Sequence, residues 1–181
     1  MQKNIIWISF DVDYLGGSAT STDYEYSCIR QCDHCTQKQG RPKTQILSKK
    51  ESEMNTIEMI QLIDNSSIKK AYMRQCHASI IDLIHAGDSV YNIDAHHDNY
   101  YPAFTKKDVN CGNWVSWAKK HNIKVKTPCT PLEVENSIKN KKNNIYLYIC
   151  TSPNYASPQT DEYLMEILHS IPCKIDVDLR K

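Results

Sequence analysis

Glycine is scarce in this sequence, and long runs of apolar residues are missing. Only 5 of the 181 residues are glycine. No G-x-G-x-x-G or Walker pattern occurs, so a glycine-rich loop that cradles a nucleotide phosphate gains little support. No apolar run approaches the roughly 20 residues that a membrane-spanning helix needs. The apolar run near the N-terminus passes directly into acidic residues and has no small-residue cleavage site, unlike a signal peptide. We therefore expect a cytoplasmic protein without a membrane segment.

The chain also has no excess of charge of either sign. Lys and Arg number 22, and Asp and Glu number 21, so no overall field attracts nucleic acid or an anionic membrane. A local group of lysines (Lys139, Lys141 and Lys142) lies between a predicted helix and a predicted strand, and we interpret it as a solvated turn. Eight cysteines without a secretion signal indicate reduced thiols or metal ligands rather than disulfides.

Apolar segments of strand character alternate with segments of helical period along the chain. Strands are predicted at residues 4–12, 68–73, 89–93, 123–125, 145–150 and 175–179, and helices at 78–85, 113–120 and 160–169. Two more helices are predicted to begin at the capping patterns of Ser48 with Glu51 and of Thr130 with Pro131 and Glu133. Because the central strands are apolar on both faces, the pattern predicts a single α/β domain, a three-layer α/β/α fold with a mainly parallel sheet. Residues 16–44 form a long cysteine-rich insertion.

Acidic and histidine side chains follow three of the predicted strands. Asp11 and Asp13 end the first strand, His77 follows the second, and the segment "DAHHD", residues 94–98, ends the third. The carboxyl ends of parallel strands meet at one edge of a sheet, where ligands bind. The period of two in extended chain places Asp94, His96 and Asp98 on one side and His97 on the other.

Such a group of side chains predicts a metal site. Crowded carboxylates repel one another unless a cation neutralises them. Oxygen and nitrogen ligands suit Mn²⁺, Zn²⁺ or Fe²⁺, and four Asp with two His match two divalent ions. The predicted metal ligands are Asp11, Asp13, His77, Asp94, His96 and Asp98. A further acidic pair in "KIDVDL" is interpreted as the outer face of a solvated edge strand whose residues Ile175, Val177 and Leu179 point inward.

These motifs carry a resemblance to the arginase and agmatinase ureohydrolases. "DAHHD" is similar to their D-A-H-x-D signature and "SFDVD", residues 9–13, to their S-F-D-V-D signature. "CHAS" around His77 and "CGNW", residues 111–114, resemble their D-H-S and S-G-N segments. The match covers short islands of a chain that is shorter than a usual arginase. It is most similar to the small peptide arginases, which convert arginine residues of ribosomal precursor peptides to ornithine and release urea.

The resemblance implies a fold, a pair of ions and roles for single residues. It implies an arginase/deacetylase-like fold and two Mn²⁺ that activate a water for attack on the guanidinium carbon. One ion would be held by His77, Asp11, Asp94 and Asp98 and the other by His96 and Asp13, with Asp94 and Asp11 shared. Asp98 would pass the proton to the leaving amine. Asn113 and Ser152 are the expected substrate-binding residues, and the expected partner is an arginine-containing precursor peptide.

Two departures from the ureohydrolase pattern bear on these roles. The D-x-D motif precedes "DAHHD" here, whereas it follows it in arginases. The histidine that moves a proton after the G-N segment is absent, because Trp114 and Val115 occupy that stretch. His97 is the candidate to replace it if the loop turns it inward. Glu25 and Glu58 are candidates for binding the guanidinium group.

Three alternatives stay open. The first is a deacetylase-like metal amidohydrolase that acts on an acyl-lysine, because that branch also has an "HHD" motif. The second is a ureohydrolase whose substrate is a free guanidino compound. The third is a metal-stabilised binding module that uses the same cleft without turnover. Separately, Cys28, Cys32 and Cys35 have C-x3-C-x2-C spacing. They could hold a structural zinc with His34 or another cysteine, an iron–sulfur cluster of the radical SAM type, or no ligand. The other five cysteines are predicted to be small buried apolar residues.

Overall fold

A computed structural model describes residues 4–16, 47–139, 141, 143–152, 156 and 160–179. The strands are β1 (Ile6–Asp11), β2 (Ile68–Arg74), β3 (Ser89–Ile93), β4 (Lys124–Lys126), β5 (Ile145–Cys150) and β6 (Ile175–Asp178). The α-helices are α1 (Asp13–Gly16), α2 (Lys49–Asp64), α3 (Trp114–Lys120), α4 (Pro131–Ile138) and α5 (Thr160–Ser170), and 3-10 helices span His77–Asp82 and Lys106–Asp108. None of the helices in the described part of the chain has the length and apolarity to cross a membrane.

The six described strands form one parallel sheet in the order β4-β3-β1-β5-β2-β6. Strand β1 is central and buried along its whole length, which explains its continuous apolar sequence. Strands β3, β1, β5 and β2 are consecutive neighbours, so their carboxyl ends lie side by side. The predicted ligands belong to three of these strand ends, those of β1, β2 and β3.

Helices cover both faces of the sheet, which confirms the three-layer α/β/α fold. On one face, Ile8, Phe10 and Leu147 pack in a core that also contains Leu62 of α2 and Val134 of α4. On the other face, a second core joins the sheet to the 3-10 helix and to α3, with the residues Trp7, Tyr148, Ile80 and Trp114 among its members. Alternation along the strands therefore sends successive side chains into two different cores.

The two predicted helix starts are confirmed. At Ser48 the side chain accepts the backbone N–H of Glu51, and the Glu51 carboxylate accepts the backbone N–H of Ser48. Thr130 and Glu133 form the same reciprocal pair at the start of α4, with Pro131 as the first helical residue. These bonds satisfy backbone donors that the first turn of a helix leaves free.

Several predicted elements differ from the observed ones. The helix predicted at residues 78–85 is the shorter 3-10 helix His77–Asp82, because Asp88 accepts the backbone N–H of His85 and holds the following turn against the sheet. Strand β6 is the predicted edge strand, and Ile175 packs against the core as predicted. The inward orientation predicted for Val177 and Leu179 was wrong, since they are 52% and 44% exposed. Of the five cysteines predicted to be buried, Cys76, Cys129 and Cys150 are buried, while Cys111 and Cys173 are partly exposed.

Candidate metal centre

The structure brings the six predicted ligand residues together at the carboxyl edge of the sheet. Asp11 is the last residue of β1 and Asp13 the first of α1, while Asp94 comes directly after β3. His77 opens the 3-10 helix that follows β2. All six are buried except His96, which is partly exposed. The convergence predicted from the strand ends is therefore observed.

The first group of ligand atoms surrounds Nδ1 of His77. Carboxylate oxygens of Asp11, Asp94 and Asp98 lie 3.2, 3.1 and 3.1 Å from this nitrogen. One imidazole nitrogen carries at most one proton, so it cannot donate to three acceptors. The nitrogen in fact has no hydrogen bond of acceptable geometry. The four atoms are therefore gathered around one point, as the ligands of a cation would be.

The second group lies beside the first and shares one carboxylate with it. Nδ1 of His96 is 3.0 Å from Oδ2 of Asp13 and 3.3 Å from Oδ1 of Asp94. Oδ2 of Asp94 contacts His77, so the two oxygens of this carboxylate face one imidazole each. Oδ1 of Asp11 instead accepts the backbone N–H of Asp13 at 3.2 Å. Asp94 is thus the better placed of the two carboxylates that were expected to be shared.

His77 is held in position by aromatic rings and by a hydroxyl. Its ring stacks on Tyr148 with an interplanar angle of 9° and lies 4.9 Å from the Trp114 ring. Its other nitrogen, Nε2, is 2.6 Å from Oγ of Ser9. When Nε2–H donates to Ser9, the lone pair of Nδ1 points at the carboxylates, which is the form of histidine that binds a metal.

Asp98 is oriented by its backbone and by an indole. Its φ of 49° places it in the left-handed region, which aspartate tolerates better than most residues. The turn sends the Asp98 side chain inward, where Oδ2 accepts a 2.6 Å hydrogen bond from Nε1 of the buried Trp114. Trp114 lies in the stretch where arginases have a histidine that moves a proton. Here it instead orients the predicted ligand Asp98.

The electrostatics of the cluster require positive charge. Burial and the neighbouring charges of Asp11 and Asp94 raise the pKa of Asp13 to about 7. Burial lowers the pKa of His96, but its hydrogen bonds to Asp13 and Asp94 outweigh this effect and raise the pKa to about 11. Burial and the charge of Asp94 also raise the pKa of Asp98 well above its usual range. Four buried carboxylates at this distance from one another are stable only with protons or metal ions among them.

The residues fit a pair of divalent ions. With both imidazoles neutral, the four carboxylates carry four negative charges, which two divalent ions neutralise. His77 Nδ1, the nitrogen that faces the three carboxylates of the first group, is buried without a hydrogen-bond partner, as expected of an atom whose partner is an ion. Two sets of three ligand atoms are close enough to share an ion, Asp13 with Asp94 and His96, and His77 with Asp94 and Asp98.

A third such set includes a cysteine, Cys150, with Asp11 and His77. Burial and the charge of Asp11 raise the pKa of the Cys150 thiol well above its ordinary value. Because the thiolate is the form that binds metals, this thiol is a weak ligand. Its sulfur lies 3.1 Å from Oγ of Ser152, in agreement with a packing role.

Of the two predicted catalytic residues, Asp98 belongs to the group around His77, whereas His97 and the predicted substrate-binding residues lie outside the ligand set. His97 is exposed and its ring contacts Tyr100, 4.0 Å between centroids, so it does not turn inward. Asn113 is buried, and its amide bonds the backbone N–H of Asn110 and the carbonyl of Asp108. Ser152 donates a 2.7 Å hydrogen bond to Asp11 Oδ2.

The remaining candidates are Glu58 and residues outside the described part of the chain. Glu58 is a partly buried residue of α2, and its charge acts on Tyr14, which directly follows Asp13. Glu25, His34 and the three cysteines Cys28, Cys32 and Cys35 fall in residues 17–46, outside the described part of the chain.

Sequence reasoning missed the supporting roles of Ser9 and Trp114. Ser9 lies two residues before Asp11, so the period of two in a strand places both on the same face. That pattern could have indicated a contact with the neighbouring ligands. Trp114 lies 16 positions from Asp98, and no local pattern predicts their contact.

Comparison of the chain with models of known protein families, with curated proteins and with solved structures finds no match. The similarity to the ureohydrolases accordingly rests on the site residues alone.

Proposed function

We propose that this protein is a dimanganese hydrolase of the ureohydrolase type, which converts arginine residues of a precursor peptide to ornithine and releases urea. One observation carries the proposal. The two oxygens of Asp94 lie 3.1 and 3.3 Å from Nδ1 of His77 and of His96. A carboxylate between two imidazoles, one buried and one partly exposed, with further carboxylates around them, is the arrangement that a pair of ions with a shared ligand requires.

Two ligand groups follow from the contacts. His77, Asp11, Asp94 and Asp98 would hold one ion, and His96, Asp13 and the shared Asp94 the other. Two Mn²⁺ bound there supply Lewis acidity and lower the pKa of a water molecule towards neutrality. The chain therefore needs no nucleophilic side chain of its own.

Asp98 is the residue placed to hold the proton that must reach the leaving amine. Its carboxylate lies in the ligand group of His77, where water activated by the ions would be held, and a carboxylate beside such a water can take up its proton. The hydrogen bond from Trp114 fixes Oδ2. Indole is a donor only, so Trp114 orients Asp98 and does not itself transfer the proton.

The guanidino substrate is proposed from the similarity of the site motifs to those of the ureohydrolases, and not from the charge of the site. Two divalent ions would neutralise the four carboxylates and leave no net negative charge to select a cation. The assignment of peptide-bound arginine, in preference to a free guanidino compound, comes from the similarity to the small peptide arginases.

Hydrolysis of an arginine-containing peptide tests this function directly. The purified protein, stripped with a chelator and reloaded with Mn²⁺, is expected to release urea and to leave ornithine in the peptide, measured by a urea assay and by peptide mass. Asp94→Asn keeps the side-chain size but removes the charge shared by the two groups, and we expect it to abolish turnover. Asp161→Asn, a change of the same kind on the exposed first turn of α5, is the matched control.

An acyl-lysine peptide and a free guanidino compound serve as competing substrates in the same assay. Release of the acyl group with no urea from any substrate would assign the site to amide hydrolysis. Equal urea release from wild type and Asp94→Asn would contradict the proposal.

A further inference from the structure

A basic groove lies along β4, the outermost described strand on one side of the sheet, and contains none of the candidate metal ligands. It has a volume of about 610 Å³ and is formed by the start of β3, by β4 and by residues of α3 and α4. Four lysines line it: Lys119, Lys124, Lys126 and Lys141. No acidic residue is among the described residues that line it, so the groove presents positive charge.

Two of the four lysines have observed partners, and these do not remove the charge of the groove. Lys126 pairs with Glu133 at 3.2 Å, and both side chains are about half exposed. Lys141 donates a 2.8 Å hydrogen bond to the neutral hydroxyl of Tyr91 and lies over that ring. Tyr91 therefore positions Lys141 at the groove and leaves its charge in place.

One wall of the groove is an open strand edge. Among the described strands, β4 is the last in the sheet and pairs only with β3. Lys124 donates its backbone N–H towards β3, to the carbonyl of Asp88. Backbone groups of successive strand residues point to opposite sides, so the N–H and C=O of Val125 face the open edge. An added strand would find a donor and an acceptor there.

The groove leads towards the ligand cluster. Thr127 directly follows Lys126, and its hydroxyl is 3.1 Å from Nδ2 of Asn92 and 3.4 Å from the carbonyl of His97. Nδ2 of Asn92 in turn donates to Oδ2 of Asp94. A peptide lying along β4 would therefore pass next to Thr127, which is linked through Asn92 to the proposed metal ligand Asp94.

We propose that this groove binds an extended acidic segment of the substrate peptide, which adds to the open edge of β4. Lysines on a strand edge oppose pairing with a neutral or basic strand, but they attract one that carries carboxylates. That the segment belongs to the substrate rests on the proposed function; the acidic character of the occupant rests on the groove alone.

Binding of peptides that contain no arginine tests the groove independently of catalysis. Two fluorescently labelled peptides of equal length are compared by anisotropy, one with repeated glutamates alternating with valine and one with glutamines in their place. The wild-type protein is expected to bind the glutamate peptide about tenfold more tightly, as a few exposed charge pairs would provide. The preference is expected to shrink as salt rises.

The double variant Lys119→Glu/Lys124→Glu is expected to lose this preference. The control Lys50→Glu/Lys69→Glu makes the same charge change on exposed residues of α2 and β2 that do not line the groove, and it is expected to keep the preference. Circular dichroism of each variant checks that the fold is retained.

The following outcomes would contradict the groove proposal and leave the proposed metal site unaffected. Equal affinity for both peptides, or equal loss in both double variants, would exclude a specific acidic site. A wild-type dimer that Lys119→Glu/Lys124→Glu dissociates would assign the edge to a second copy of the chain. Urea release from a short arginine peptide that survives any of these results would leave the proposed function standing.

Discussion

The orientation and tautomer of His77 depend on a residue outside the candidate ligand set. Ser9 lies on β1 two residues before Asp11, and its Oγ is 2.6 Å from Nε2 of His77. In the neutral imidazole, a hydroxyl that accepts Nε2–H leaves Nδ1 unprotonated and facing three carboxylates. Partners of this kind orient the ring and tune its affinity for a metal.

Ser9→Ala is therefore expected to weaken metal binding while the ligands stay in place. The loss expected for such a supporting partner is about tenfold or more in affinity, measured as Mn²⁺ binding by isothermal titration calorimetry. Ser170→Ala, which removes a hydroxyl that donates to the carbonyl of Glu166 in α5, should bind Mn²⁺ as the wild type does. Unchanged affinity in Ser9→Ala would mean that ring stacking alone orients His77.

The ligand residues could be predicted from sequence because each is local to a strand end. A D-x-D after one apolar strand and "DAHHD" after another need only a parallel sheet to converge. The contact of Ser9 with His77 spans 68 positions, and it depends on strand order, which the sequence does not show. The inward turn of Asp98 and the outward position of His97 depend on the backbone angle φ of Asp98. This angle could not be predicted either, because the sequence does not show the tertiary contacts of the loop.

Among the secondary-structure elements, helices α2 and α4 begin at capping boxes that are exposed to solvent. At α4 the Glu133 carboxylate accepts the backbone N–H of Thr130 and also pairs with Lys126. These contacts lower the pKa of Glu133 below its ordinary value of 4.5. The folded state therefore holds the Glu133 proton less tightly than the unfolded state does, so the stabilisation is present above the ordinary pKa and is lost as pH falls through the folded one.

Glu133→Ala is expected to lower the melting temperature at pH 7 by on the order of 2 °C, the usual size of a lost cap in a chain of this length. The deficit relative to wild type should shrink below pH 4.5, where the wild-type carboxylate becomes protonated. Thermal unfolding followed by circular dichroism at several pH values measures this. A deficit that is constant with pH would indicate that packing, and not the carboxylate, causes the loss.

Elements with a strong local signal were predicted well, and short ones were not. The capping residues predicted where α2 and α4 begin. The apolar sequences of β1 and β5 predicted the central strands of the sheet. The segment "HASIID" has apolar residues at helical spacing but forms only a 3-10 helix, because the tertiary contacts of Asp88 determine where it ends. Helix α1 has four residues, too few for any periodic pattern.

In the molecule as a whole, the ligand cluster is a concentrated source of repulsion at the edge of an otherwise apolar sheet. Asp11, Asp13, Asp94 and Asp98 are all buried, and burial of like charges costs free energy in the folded state. Ions that bind the folded state but not the unfolded chain offset that cost. Metal binding and stability should therefore be coupled.

Mn²⁺ is expected to raise the melting temperature in a concentration-dependent way. At one hundred times the dissociation constant the gain is about 2.7 kcal/mol, or roughly 5–10 °C for a chain of this size. Differential scanning calorimetry with and without a chelator measures the shift. The melting temperature of Asp94→Asn should rise less with Mn²⁺ than that of the wild type. A wild-type melting temperature that does not change with Mn²⁺ would contradict a metal centre built from these residues.

The left-handed backbone of Asp98 sets a trade-off for anyone who evolves this protein in the laboratory. Glycine relieves the strain of a φ of 49° at no steric cost, yet it deletes a carboxylate from the cluster and a partner from Trp114. Selection for heat resistance in the presence of a chelator would then favour the loss of this side chain, whereas selection for turnover, or for heat resistance with Mn²⁺ bound, would oppose it.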